Sequence, residues 1–190
     1  MHTMRHVGIY PGSFDPVHEG HIAFAKAALL AGKLEEVIFL PEKMPRGKPQ
    51  VSSLTVRLNA LRKETTQSER LRVMSLPMER FTVTDTLAIL QSKFEDTRLA
   101  LLVGSDIART FQHRWPGLGT LLRTTDLIIG LRDKDAPEDI EKLMAFLEVK
   151  HGCKITYSIL VTPHAHVASS KIRDAAMRES STATAIADIT

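Results

Sequence analysis

Short apolar segments alternate with longer amphipathic segments along this chain of 190 residues. The segments at 37–40 and 99–103 are apolar throughout, which is typical of strands covered on both faces of a parallel sheet. We predict strands at residues 4–10, 36–40, 70–75, 99–104, 126–131 and 154–161, and helices at 20–31, 53–65, 84–92, 137–149 and 169–178. This order predicts an α/β fold, an open parallel sheet with helices on both faces.

No linker, change of composition or internal repeat divides the chain. We therefore expect one domain over residues 1–178. Residues 179–190 are rich in Ser, Thr and Ala without an apolar period, so we expect a frayed or disordered tail.

The composition limits the classes of partner. The chain is 43% hydrophobic and 25% charged, and its formal net charge of +3 is too small to predict nucleic-acid binding. No apolar stretch reaches membrane-spanning length, so we expect no membrane association. The single cysteine, Cys153, and the absence of a recognisable signal peptide favour the cytoplasm. Assembly into a homo-oligomer is left open.

The segment Gly-Ser-Phe-Asp-Pro-Val-His-Glu-Gly-His at 12–21 follows directly on the first predicted strand. Gly12 allows close approach of a phosphate, while His18 and His21 lie on one face at the start of the next helix. Free N–H groups and the positive end of the helix dipole favour an anion there. The alternatives are a pair of surface histidines or an incomplete metal site, and two ligands alone make a poor zinc site.

A second candidate phosphate site lies near the other end of the chain. Ser169 or Ser170 suits a helix N-cap, and the guanidinium of Arg173 adds positive charge at that terminus. The alternative is an ordinary capped helix whose basic residues face solvent.

The middle of the chain offers candidates for binding a nucleoside. Gly104 would permit close approach of a ribose, and Asp106 has the carboxylate that would accept its hydroxyl hydrogens. Asp106 is equally suited to cap a helix. Trp115 is either a pocket wall or a core aromatic. The loop at 41–53 contains three prolines and the basic residue Lys48, and its place after a strand makes it a candidate substrate lid.

These motifs resemble those of a known superfamily. The 12–21 segment resembles the signature of the HxGH nucleotidyltransferases, and the 167–173 segment resembles their ISSTxIR motif, with Ala168 in place of one serine and Ser170 in place of the threonine. The segment 84–87 (Thr-Asp-Thr-Leu), the Gly-x-Asp at 104–106, Trp115 and the stretch 126–132 are together similar to bacterial nicotinate mononucleotide adenylyltransferase.

The resemblance implies a Rossmann-like nucleotidyltransferase fold and adenylyl transfer from ATP to nicotinate mononucleotide, which gives deamido-NAD and pyrophosphate in NAD biosynthesis. It implies His18, His21 and Arg173 as catalytic residues. The implied ATP-binding residues are Gly12, Ser13, Phe14, His18, His21, Gly104, Asp106, Ser169, Ser170 and Arg173. The implied acceptor-binding residues are Lys48, Thr84, Asp85, Trp115 and Arg132. Mg²⁺ is expected to arrive with ATP, without a dedicated metal site in the protein.

Two departures from the family pattern affect the acceptor. The family loop Pro-Pro-His-Lys is Pro-Arg-Gly-Lys here, at 45–48, and its Ser-Tyr-Thr is Phe-Thr-Val, at 81–83. The choice between nicotinate and nicotinamide therefore stays open. Phosphopantetheine is an alternative acceptor, although the family of adenylyltransferases that act on it usually has threonine where this chain has His18. A catalytically silent nucleotide-binding module is the alternative from another class.

Overall fold

The first strand lies in the interior of a parallel sheet. In the computed structural model, which describes residues 5–48, 50–132 and 135–161, six strands form this sheet. They are β1 (Arg5–Gly12), β2 (Glu36–Pro41), β3 (Leu71–Val73), β4 (Thr97–Gly104), β5 (Thr125–Gly130) and β6 (Tyr157–Leu160). Their order is β3-β2-β1-β4-β5-β6, and every neighbouring pair is parallel. The predicted parallel sheet is confirmed, with β3 and β6 shorter than expected.

The helices are α1 (Glu19–Ala31), α2 (Leu54–Thr65), α3 (Ala88–Lys93), α4 (Ser105–Arg109), α5 (Leu118–Thr124) and α6 (Pro137–His151). A π-helical turn, Val83–Leu87, leads into α3, and a 3₁₀ turn, Thr110–Gln112, follows α4. The helices predicted at 20–31, 53–65, 84–92 and 137–149 are therefore present. The helices α4 and α5 were not predicted, because five and seven residues are too few for an apolar period to be recognised.

Side chains alternate between two apolar layers, one on each face of the sheet. On β1, Val7 and Ile9 are buried in one layer and Tyr10 in the other, as the two-residue period of a strand requires. The Tyr10 layer includes Phe24 of α1 and Leu61 of α2, and the opposite layer includes Leu90, Leu121 and Met144 of α3, α5 and α6. Helices thus cover both faces, as predicted.

The strand order reverses at the centre of the sheet, and this reversal positions the candidate site. From β1 the chain moves outward to β2 and β3, then returns to β4 on the other side of β1. Gly12 and Gly104 therefore end adjacent strands at the same edge. Ligands of open α/β sheets bind in the crevice at such a reversal, beyond the carboxyl ends of the strands.

Some predictions concern residues that the structure does not describe. The second phosphate motif with Ser169, Ser170 and Arg173, the predicted helix at 169–178 and the predicted tail at 179–190 all lie outside the described residues. Among the residues that are described, no helix has the length and apolar character needed to cross a bilayer.

Candidate active site

A tight loop connects β1 to α1 and closes around a buried phenylalanine. Phe14 adopts a left-handed backbone conformation, with φ of 48°, which is uncommon for a residue with a side chain. Its ring is 1% exposed and packs against Tyr10, Phe39 and His21, at centroid distances of 5.2, 5.4 and 5.1 Å. Burial of the ring offsets the cost of the conformation and holds the loop beneath the His21 imidazole.

The two histidines of this loop form a connected pair at the start of α1. His18 occupies the N-cap position, and its main-chain N–H donates to Nδ1 of His21, 3.2 Å away. The rings stack with centroids 3.7 Å apart. Because Nδ1 of His21 accepts a hydrogen bond, we assign the ring proton to Nε2. His21 is thereby a neutral imidazole with one N–H donor.

The environment of His21 keeps it neutral. Burial lowers the pKa of His21 well below its ordinary value, and the neighbouring His18, Arg132 and Lys48 lower it further. The positive charges of the sequence-predicted residues Lys48 and Arg132 thus act on His21. A neutral N–H amid positive charge is suited to donate to an anionic oxygen without itself titrating near pH 7.

The 41–53 loop reaches back to the loop after β1. Nζ of Lys48 donates to Oγ of Ser13 over 2.7 Å, and the main-chain N–H of Ser52 donates to the Asp15 carboxylate over 3.0 Å. The candidate lid therefore places its lysine beside the candidate phosphate loop. Sequence analysis did not anticipate the contact with Asp15.

At the neighbouring strand end, a missing side chain leaves room for a carboxylate. A Cβ built on Gly104 would lie 2.2 Å from Oδ1 of Asp106 and 3.3 Å from Nε of Arg132. Gly104 itself occupies the N-cap position of α4, so Asp106 is not the cap that the alternative interpretation expected. The Asp106 carboxylate lies 3.5 Å from Nε of Arg132 and is exposed.

A hydrogen-bonded cluster anchors the main chain at Arg132. The sequence did not predict this cluster. The main-chain N–H of Arg132 donates to Oγ of Ser105 over 3.0 Å, and this hydroxyl donates to the Asp135 carboxylate. Arg109 also binds Asp135, over 2.8 Å. The hydrogen bond from Ser105 is the main cause that lowers the pKa of Asp135. No local motif marks this cluster, because Ser105 and Arg109 belong to α4 whereas Arg132 and Asp135 follow β5, more than twenty residues later.

Two of the candidate acceptor-binding residues, Thr84 and Asp85, lie in the π-helical turn. Oγ1 of Thr82 accepts from the Asp85 N–H over 3.1 Å and donates to the Asp85 carboxylate over 3.0 Å, so Thr82 caps this turn and Asp85 holds the capping hydroxyl. Thr84 is exposed. A Cβ built on Gly117, whose φ is 77°, would lie 3.7 Å from Cγ2 of Thr84, so the chain just beyond Trp115 packs against this turn.

Trp115 is partly a core residue, and its role as a pocket wall stays a prediction. It is half-buried and packs edge-on against Phe111, with ring centroids 5.0 Å apart, at the margin of the core. One side of the indole therefore belongs to the core while the remainder is accessible.

Residues 9–175 match the model of a family described as cytidylyltransferase-like. The chain belongs to this family. A relative named as a probable nicotinate-nucleotide adenylyltransferase from Neisseria meningitidis is 30% identical over 183 residues, covering 93% of this chain and 91% of the relative. One of the same name from Rhodopirellula baltica is 31% identical over 173 residues, covering 88% and 80%.

A solved structure has the same fold. Plasmodium falciparum nicotinic acid mononucleotide adenylyltransferase, complexed with NaAD, superposes with a TM-score of 0.73 at 18% identity, covering 90% of this chain and 83% of that one. The predicted family and the predicted nucleotidyltransferase fold are confirmed.

Proposed function

We propose that this chain transfers the adenylyl group of ATP to nicotinate mononucleotide, forming deamido-NAD and pyrophosphate in NAD biosynthesis. The observation that carries the proposal is the His18–His21 pair, a neutral N–H donor held at a helix start where the strand order reverses. The curated relatives described above bear the name of this activity.

The reaction requires alignment and charge stabilisation more than proton transfer. The acceptor phosphate has a second pKa of about 6, so it is already largely a dianion at neutral pH. Its oxygen attacks the α-phosphorus of ATP, and the bond between that phosphorus and the bridging oxygen of pyrophosphate breaks. His18 and His21 donate to the phosphate oxygens as charge moves onto them, while Lys48 approaches from the 41–53 loop.

The remaining ATP contacts are assigned by position. Gly12, Ser13 and Phe14 form the loop below the phosphates, and Gly104 with Asp106 accommodates the ribose. Ser169, Ser170 and Arg173 remain the predicted ligands of the β- and γ-phosphates. Mg²⁺ enters with ATP as part of the substrate, because it usually keeps several waters and binds through phosphates.

The hydrogen bonds at the π-helical turn limit which main-chain N–H groups are available to bind the acceptor substrate. The N–H of Phe81 donates to the Glu42 carboxylate over 2.8 Å, and that of Thr82 to the Thr86 hydroxyl over 2.9 Å. Val83 and Thr84 are the first residues of the turn, where main-chain N–H groups have no partner within a helix. We assign the nicotinate carboxylate to these N–H groups, the ring to Trp115, and the acceptor phosphate to Arg132 and Lys48.

The test is pyrophosphate release from ATP with nicotinate mononucleotide, nicotinamide mononucleotide or phosphopantetheine as acceptor. We expect the highest kcat/KM with the nicotinate compound, because a site with donors for a carboxylate discriminates strongly against an analogue without it. An equal or higher value for the amide would contradict the assignment of Val83 and Thr84. Turnover of phosphopantetheine alone, or of no acceptor, would contradict the proposed function.

Trp115→Ala tests the acceptor assignment independently. We expect a raised KM for the mononucleotide and an unchanged KM for ATP. Phe146→Ala is the matched control, since Phe146 is an aromatic residue on α6 that is 52% exposed. A rise in the ATP KM without a change for the acceptor would refute the assignment.

A further inference from the structure

Arg57 is an arginine in the first turns of α2 that is almost completely buried. Its side chain lies among the largest fully enclosed groups of the described residues, with the residue 2% exposed. Burying a guanidinium is costly unless its N–H groups are hydrogen-bonded. The stability of the buried Arg57 cation therefore depends on the groups that its N–H donors bind.

The guanidinium donates to main-chain carbonyls from separate segments of the chain. Nη1 donates to the carbonyl oxygens of Ser13, at 2.7 Å, and Glu42, at 2.8 Å. Nη2 donates to that of Lys43 over 3.2 Å, and Nε to that of Ser52 over 2.9 Å. One side chain thus connects the loop after β1, the end of β2 and the residue that precedes the cap of α2.

These contacts secure both ends of the segment that carries Lys48. Glu42 and Lys43 lie just before this segment, Ser52 lies just after it, and all three bind the same guanidinium. Ser13 is in turn held twice, through its carbonyl by Arg57 and through its hydroxyl by Nζ of Lys48.

The surrounding charges fit a cation that organises the main chain. Burial lowers the pKa of Arg57, and the nearby carboxylates of Asp15 and Glu42 oppose this shift. Both carboxylates accept main-chain N–H groups elsewhere, from Ser52 and from Phe81 respectively. The guanidinium of Arg57 therefore binds carbonyl groups. Its five planar donors are suited to several carbonyls at once, whereas a lysine ammonium is not.

We propose that Arg57 is a positioning residue for adenylyl transfer, which places Lys48 and Ser13 at the ATP phosphates by holding both ends of the Lys48 segment against the loop after β1. The proposal rests on the proposed function, in which Lys48 and Ser13 face those phosphates. Arg57 itself acts only through the groups that it orients.

The test is a double-mutant cycle of Arg57→Lys and Lys48→Met. For each variant, calorimetry measures the ATP affinity without acceptor, and steady-state kinetics measure kcat with acceptor. We expect Arg57→Lys to weaken ATP binding by about tenfold when Lys48 is present, and by a clearly smaller factor in the Lys48→Met background, where only the placement of Ser13 is still affected. Arg57→Met should have a larger effect than Arg57→Lys. Arg62→Met, an exposed arginine of the same helix, is the control and should match the unmodified protein.

Thermal unfolding separates positioning from loss of fold. If Arg57→Met does not fold, Arg57→Lys, which retains the charge, carries the test. An equal effect of Arg57→Lys in both backgrounds would overturn the proposal, as would unchanged ATP affinity and kcat in Arg57→Lys. Because the affinity is measured without acceptor, failure to turn over nicotinate mononucleotide would contradict the proposed function and leave this comparison intact.

Discussion

The main-chain N–H of His18 donates to Nδ1 of His21 over 3.2 Å. This single bond selects the ring nitrogen that carries the proton and leaves Nε2–H of His21 as the donor. The stacked His18 ring, 3.7 Å away, restricts the imidazole further. The pair is thus preorganised before ATP binds, which is the property that makes hydrogen-bond donors effective in stabilising transition-state charge.

Two amide substitutions separate the roles of the two nitrogens of His21. An asparagine amide lies near the position of Nδ1, whereas a glutamine amide reaches that of Nε2. We expect His21→Asn to lower kcat by about 10²-fold through loss of the donor, and His21→Gln by about tenfold. Steady-state kinetics measure both, and a larger loss in His21→Gln would show that the Nδ1 contact matters more than the donor.

The depressed pKa of His21 predicts a specific loss of stability in acid. In the unfolded chain a histidine has a pKa of about 6.5, whereas burial keeps the folded-state pKa of His21 well below that value. As the pH falls below about 6.5, the unfolded state binds a proton that the folded state does not, so the free energy of unfolding decreases. The contribution is complete above about pH 6.5 and is lost progressively below it.

The comparison is the change in Tm between pH 7.5 and 5.5 for the unmodified protein and His21→Asn. At one pH unit below the pKa of histidine in the unfolded chain, His21 lowers the free energy of unfolding by at most about 1.4 kcal/mol. His113→Asn, at an exposed histidine, is the control and should keep the full acid sensitivity. The same sensitivity in His21→Asn would show that His21 is not the group responsible.

Gly104→Ala is expected to impair the candidate nucleoside site while leaving the fold intact. The new Cβ would overlap with Oδ1 of Asp106, the end of an exposed side chain that is able to move aside. We expect the ATP KM to rise by about tenfold, from loss of a charge-assisted contact, with a stability loss below about 1 kcal/mol.

Gly8→Ala is its counterpart in the core. There the Cβ would lie 2.8 Å from Leu34 and 2.9 Å from Val37, so we expect overpacking to lower the free energy of unfolding by about 1–3 kcal/mol. Denaturant unfolding and ATP kinetics on both variants check the contrast. An unchanged ATP KM in folded Gly104→Ala would remove Asp106 from the site.

The candidate-site residues that could be predicted from the sequence are those that belong to a local motif. The strand-loop-helix context of His18 and His21 and the Gly-x-Asp at 104–106 are readable because their spacing is short and each follows an apolar strand. Arg57 was not identifiable, since an arginine in an amphipathic helix normally faces solvent and its partners are distant main-chain carbonyls.

Asp85 illustrates the opposite difficulty. The family-like segment at 84–87 marked Asp85 as an acceptor ligand, and in the structure its carboxylate accepts from the Thr82 hydroxyl at the helix start. A sequence pattern does not distinguish a residue that stabilises the start of a helix from one that binds a ligand there. Its role in binding therefore stays a prediction.

Two buried threonines offer a test of the hydrogen-bond account of stability. Thr125 and Thr86 are each 1% exposed, but Oγ1 of Thr125 has no partner among the described residues, whereas Oγ1 of Thr86 accepts from the Thr82 N–H. We expect Thr125→Val to raise the free energy of unfolding by up to about 1 kcal/mol, and Thr86→Val to lower it by about 1–3 kcal/mol. Chemical denaturation measures both, and destabilisation by Thr125→Val would reveal a partner of its hydroxyl.

We propose that adenylyl transfer takes place at the His18–His21 pair. The most direct measurement mixes ATP labelled at the α-phosphorus with nicotinate mononucleotide and follows the label and the released pyrophosphate. We expect the label to appear in deamido-NAD in equal amount to pyrophosphate, and the rate to fall by about 10²-fold or more in His18→Ala and in His21→Ala. Label recovered as AMP, no label in a dinucleotide, or near-normal rates in both variants would contradict it.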